Sequence, residues 1–140
     1  MMLAPGAIGM GAPDPALITI PVSIGELIDK ITILEIKAER LGGAGKTNVE
    51  RELALLNATL AASGLAIDPA LLGALKAVNL ELWRIEDEIR EQERRQDFGD
   101  AFIALARAVY VTNDRRAALK RQLNERHGSA LIEEKSYRPY

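Results

Sequence analysis

FIALARAVYVTNDRR, residues 102–116, is the stretch whose reading decides the fold. At about 100° per residue, Phe102, Leu105 and Val109 fall on one side, and the stripe continues through Leu119 and Leu123. That spacing predicts a long amphipathic helix reaching about Arg126. Asn113 and Arg116 lie inside the apolar stripe, with Lys120 at its edge. Burying an amide or a guanidinium without partners is costly. This face therefore meets matching polar groups inside the fold, or it lines a site.

The residues just upstream supply the partner helix. Asp68-Pro69 reads as an N-cap followed by proline at the first helical position. From there to about Gln96, Leu75, Val78, Leu82, Ile85 and Ile89 step three and four apart. Asp97-Phe-Gly-Asp100 is a tight break, with Asp100 expected to cap the last helix. So short a break folds the two helices back as an antiparallel hairpin. Counting outward from Phe98-Gly99 sets Glu86 level with about Thr112 and Asn113, and Leu82 level with Arg116. One turn of slack brings Glu86 to Arg116. Asn79 joins them, and Glu35 reaches in from the first helix. The expected cluster is Glu35, Asn79, Glu86, Asn113 and Arg116. An Arg–Glu pair with amide neighbours satisfies most of its donors and acceptors. Two readings stay open: a structural knot that fixes helix register, or a binding or catalytic pocket for a small anion or sugar derivative.

Towards the N-terminus, Ser23-Ile-Gly-Glu26 is a capping box. The helix it opens runs to about Leu41 on a seam of Ile24, Leu27, Ile28, Ile31, Leu34 and Ala38. Residues 41–48 read as a loop. Its Gly45-Lys46-Thr47 imitates the end of a P-loop, but Arg40 stands where a glycine is required and a helix precedes in place of a strand. Thr47 or Asn48 then caps a second helix to about Ser63, with Val49, Leu53, Leu56 and Leu60 inward. Residues 1–16 form a Gly/Pro/Ala-rich leader. LITIPV, residues 17–22, is extended, and Pro21 confines it to an edge or a lone arm. His127 supplies a charge at the last helix C-terminus, and Gly128 ends that helix. In the tail, Leu131 and Ile132 are expected to anchor against the body beside the arm. The fold class is all-α: an antiparallel bundle of about four helices with a long C-terminal hairpin and extended termini. Residues 17–140 form one domain.

Composition narrows function. The chain has 140 residues, a formal charge of -2, no cysteine and a single histidine. Thiol chemistry, disulfides and clustered-His metal sites are excluded, and no cofactor is implied. Near-neutral charge gives no pull toward nucleic acid. No apolar run approaches the roughly 18 residues of a membrane span, so no membrane insertion and a cytoplasmic location are expected. Trp83 and Tyr110 border their apolar stripes, while Arg107 and Asp114 share the opposite face of the last helix among Ala104 and Ala118. Those four residues are the expected interface for a protein partner or a second copy.

Two helices invite comparison with enzymes. Glu81, Glu86, Asp87, Glu88, Glu91 and Glu93 are similar to the carboxylate-rich helices of Mg-dependent nucleotide pyrophosphohydrolases, and Glu88-x-x-Glu91 matches half of that pattern. No second Glu-x-x-Asp follows, and arginines alternate with the acids as on a solvated face, so no metal is expected. The segment at residues 28–40 resembles the first helix of an all-helical chorismate mutase, without the early arginine that family needs. A broader likeness covers nearly everything after about Ile18. PVSIGELIDKITILEIKAER (21–40), AVNLELWRIEDEIR (77–90), Asp97-Phe-Gly, residues 104–120 and EEKSY (133–137) together resemble a family of small bacterial helical domains of uncharacterised function. That resemblance brings no activity or catalytic residue, and implies only that relatives occur near glycan and polysaccharide genes. A module that binds a protein partner or itself is the leading expectation. A pocket for a small anionic ligand or sugar derivative is the alternative.

Overall fold

The structure is a computed structural model, and it describes residues 16–140. The expected 1–16 leader therefore lies almost wholly outside the described residues. Four helices follow: α1 (Ile24–Arg40), α2 (Gly43–Ser63), α3 (Pro69–Arg94) and α4 (Asp100–Arg126). They pack on one another as an all-α antiparallel bundle, with no strand among the described residues.

The caps follow the sequence with three exceptions. Ser23 Oγ accepts the Glu26 N–H at 3.1 Å, Asp68 Oδ1 accepts the Ala70 N–H at 2.9 Å, and Gly64 closes α2 in the left-handed region. The first exception is residues 43–48, expected as loop, which form the first turns of α2. Leu41 and Gly42 suffice as the connection. Gly45-Lys46-Thr47 thus lies in the first turns of α2, and the element before it is α1 and not the strand that a P-loop requires. Second, the cap of α4 is Gly99 rather than Asp100. Third, His127 Nε2 accepts the Asp68 N–H at 3.3 Å. This bond ties the end of α4 to the start of α3.

Every other helix packs against α1. Leu27, Ile28 and Ile31 of α1 form the core with Leu75 of α3 and Leu123 of α4, while Leu53, Leu56 and Leu60 of α2 cover it. α1 needs two buried faces because it is sandwiched. One carries Leu27, Ile31 and Leu34; the other carries Gly25, Asp29, Thr32 and Ile36. Against α4, α1 runs antiparallel: Gly25 meets Asn124, and Asp29 meets Arg116. At about 1.5 Å per residue the helices differ in reach. α1 has 17 residues, whereas α3 and α4 have 26 and 27. The hairpin therefore overhangs the C-terminal end of α1, and Phe102, Leu105 and Val109 are only half-buried.

The N-terminus of α1 is held from far along the chain. The Ile24 N–H bonds Ser129 Oγ at 3.0 Å, and the Gly25 N–H bonds Asn124 Oδ1 at 2.6 Å. These side chains satisfy helix-end donors that would otherwise need water. Outside the helices, Leu131 and Ile132 remain exposed and do not anchor the tail as expected. Charges hold it instead. Lys120, 9% exposed, lies 2.8 Å from Glu26 and 3.0 Å from Glu133, and Arg121 bonds Glu134 at 3.1 Å. Burial alone would pull the Lys120 ammonium down, but its hydrogen bonds to Glu26 and Glu133 outweigh that and hold its pKa above the usual lysine value.

Candidate functional site

The polar cluster forms around a residue that the sequence reading did not select. Asp29 is 1% exposed. Its Oδ1 accepts Arg116 Nε–H at 2.9 Å and Asn79 Nδ2–H at 2.9 Å, and its Oδ2 accepts from Arg116 Nη2. Asn79 gives a second hydrogen to Thr32 Oγ1 at 2.9 Å, and Thr32 in turn donates to the Asp29 carbonyl at 2.8 Å. Asn113 Oδ1 accepts from Arg116 Nη1 at 3.3 Å. The two-point Arg–Asp contact fixes the guanidinium plane as well as its position. It also holds the Arg116 pKa above its already high ordinary value, despite the opposing effect of burial.

Of the expected cluster, Asn79, Asn113 and Arg116 come together. Glu86 and Glu35 do not join them. Glu86 pairs with Arg90 on its own helix at 2.7 Å, and Glu35 lies 3.5 Å from Lys76. The vertical register of the hairpin was nearly right, since Arg115 bonds Glu81 at 3.0 Å. The difference from the expected cluster is rotational. Arg116 faces α1, where Asp29 is nearer and drier than any acid of α3. Sequence held one usable signal: Gly25, Asp29, Thr32 and Ile36 repeat four-three-four, a second seam beside the apolar one.

The Asp29 side of this cluster is buried and paired, whereas the Arg116 side is open. Arg116 keeps 27% of its side chain exposed. A guanidinium has five N–H donors, and three are spent on Asp29 and Asn113. One hydrogen on each terminal nitrogen has no partner among the described residues. Arg116 lines a groove of about 500 Å³ between α1, α3 and α4. Ile33, Leu82 and Val109 give it an apolar wall, Trp83 an aromatic one, and Lys37, Arg90, Glu86 and Asp87 a charged rim. Arg40 covers one part of the Trp83 ring at 5.6 Å from its centroid. Lys37 forms no ion pair among the described residues. With Arg116 it also lines a second recess, about 270 Å³, on the α2 side.

The residues expected at an interface divide. Trp83 belongs to the groove. Tyr110 meets Tyr140 edge-on, ring centroids 5.2 Å apart, and Asp114 Oδ2 accepts the Tyr140 hydroxyl at 2.6 Å. The tail of the same chain thus occupies part of that face. Arg107 is exposed. The acids of α3 that invited a metal reading are spread among Arg84, Arg90, Arg94, Arg95 and Arg115. No group of three or more metal-binding side chains forms among the described residues.

A model of a family of unknown function matches residues 18–139. The chain belongs to this family, DUF6165. The DUF6165 match begins inside the 17–22 arm and runs to the penultimate residue, so the family domain includes both non-helical ends. No curated protein matches the chain, and no solved structure does. No helix among the described residues is long and apolar enough to cross a membrane.

Proposed function

We propose that the chain is a binding module for a small sugar derivative carrying one anionic group, held in the groove above Arg116. A single observation carries this reading. The guanidinium is locked by Asp29 yet keeps an unused N–H on each terminal nitrogen at the groove wall, beside the unpaired Lys37 and the Trp83 ring. A planar donor pair matches a carboxylate or a phosphate, and a pre-positioned one loses little freedom on binding. Asp29 offsets much of the charge of Arg116 and Glu86 pairs with Arg90, so Lys37 is the groove cation left to meet an anionic group. Glu86 and Asp87 on the rim suit a ligand with hydroxyl donors, and the open part of the Trp83 ring suits the C–H face of a sugar.

Trp83 is the sole tryptophan, so its fluorescence reports on the groove directly. Glucuronate and glucose 1-phosphate distinguish carboxylate from phosphate, with glucose as the neutral control. A saturable change with either anion, weakened roughly tenfold by Lys37→Ala, is the expected result. Lys37 is the informative position because Arg116 also holds the fold together. No saturable change with either anion up to about 10 mM overturns the proposal.

Self-association is the second reading, and the arm favours it. Ile18 is 87% exposed and Ile20 67%, and no backbone group of residues 17–22 is hydrogen-bonded among the described residues. An uncharged, apolar, unpaired edge is a template for a like edge. Two copies pairing arm to arm about a two-fold axis satisfy both at once. Light scattering is expected to give a dimer mass that falls to that of the monomer in Ile18→Asp/Ile20→Asp. A wild-type chain that stays monomeric at the highest concentration reached removes this reading.

A further inference from the structure

We infer that the site continues past Asn113 into a second compartment built by the C-terminal tail, and that it takes a nucleoside diphosphate sugar. This rests on the groove reading and extends it. A cavity of about 520 Å³ lies between α4 and residues 137–140. Val109 and Asn113 line both this cavity and the Arg116 groove, so the two are neighbours across these two side chains.

The tail makes this compartment aromatic and keeps it open. The Tyr140 ring is fixed at two points, by its hydroxyl on Asp114 and by its edge contact with Tyr110. Yet Tyr140 is 80% exposed, and Tyr137 beside it 74%. A ring held in place with its surface bare suits stacking by a second flat ring, which every nucleobase provides. Arg138 lines the same cavity and forms no ion pair among the described residues. Asn113 spends its Oδ1 on Arg116 and keeps its Nδ2 hydrogens without a partner among the described residues. It therefore offers a donor at the boundary, where an oxygen-rich bridge between two rings would pass. In order along the site stand a Trp83 wall, the donors of Arg116 and Lys37, the Asn113 amide and the Tyr140 ring. Sugar, diphosphate and base meet these in turn.

The experiment compares glucose 1-phosphate with UDP-glucose by calorimetry on the full chain, on Tyr140→Ala and on a chain ending at Ser136. UDP-glucose is expected to bind roughly tenfold tighter or more than glucose 1-phosphate. Both variants are expected to abolish that advantage while leaving glucose 1-phosphate unchanged. The variants are accepted only with unaltered melting curves, so that a lost ratio reports on the tail and not on folding. Equal affinities in the wild-type chain, or an advantage that survives both variants, overturn the inference and leave the groove reading intact. Failure of both probes to bind overturns the two together.

Discussion

Gly25→Ala is expected to destabilise the fold by about 3 kcal/mol, in a position where alanine would ordinarily help. Within a helix, alanine is better than glycine by roughly 0.5–1 kcal/mol. Gly25 is the exception because α4 crosses directly over it. An added Cβ would fall well inside van der Waals contact of the Lys120 carbonyl oxygen and 3.0 Å from Asn124 Oδ1. The carbonyl belongs to the α4 backbone and has no rotamer by which to move aside. Separating the helices would also lengthen the 2.6 Å bond from the Gly25 N–H to Asn124. Gly73 provides the control: it lies in α3, and an added Cβ there meets nothing within 4 Å. Urea melts of Gly25→Ala and Gly73→Ala should therefore shift in opposite directions. A Gly25→Ala chain as stable as the wild type would show that the crossing is not that close.

Arg116→Met is expected to cost about 3 kcal/mol, because it leaves the Asp29 carboxylate buried with one amide donor in place of three bonds. The lower end of the range for broken buried pairs applies, since water reaches the guanidinium side. Combined with Asp29→Asn, the losses should be strongly non-additive. Combined with Glu86→Gln they should simply add, and Glu86→Gln alone should cost less than about 1 kcal/mol as an exposed pair on one helix. The reverse pattern, coupling to Glu86 and none to Asp29, would contradict the geometry described above.

The parts of this fold that were legible from sequence share one property: each rests on a local rule. Ser23, Asp68 and Gly64 mark helix ends through bonds or backbone angles within a few residues, and the short break at Phe98-Gly99 fixes the hairpin register to within about one turn. What failed needed rotation between helices distant in sequence. Glu86 and Asp29 lie at similar heights relative to Arg116, and only the packing of α1 selects between them. Asp29 carries no signal of its own in the sequence because one seam of α1 is enough to explain an ordinary surface helix. A second, polar seam becomes meaningful only once a helix is known to be covered on both sides. Among the site residues, Asn79, Asn113 and Arg116 stood out as polar groups on or beside apolar stripes. Lys37 carried no such mark, since a lysine facing away from a seam looks like any solvated lysine until an overhanging hairpin builds a wall beside it. Tyr140, the last residue, likewise gave no periodic signal.

The bonds from Ile24 and Gly25 to Ser129 and Asn124 span 105 and 99 residues. A chain leaving the ribosome therefore exposes α1 long before Ser129 and Asn124, the acceptors for its first two N–H groups, exist. Throughout that interval Asp29 lacks its arginine, and its hydrated charge opposes burial of that face against whatever has already emerged. The Asp29 face of α1 is therefore fully paired only when α4 packs against it and brings Arg116 into place.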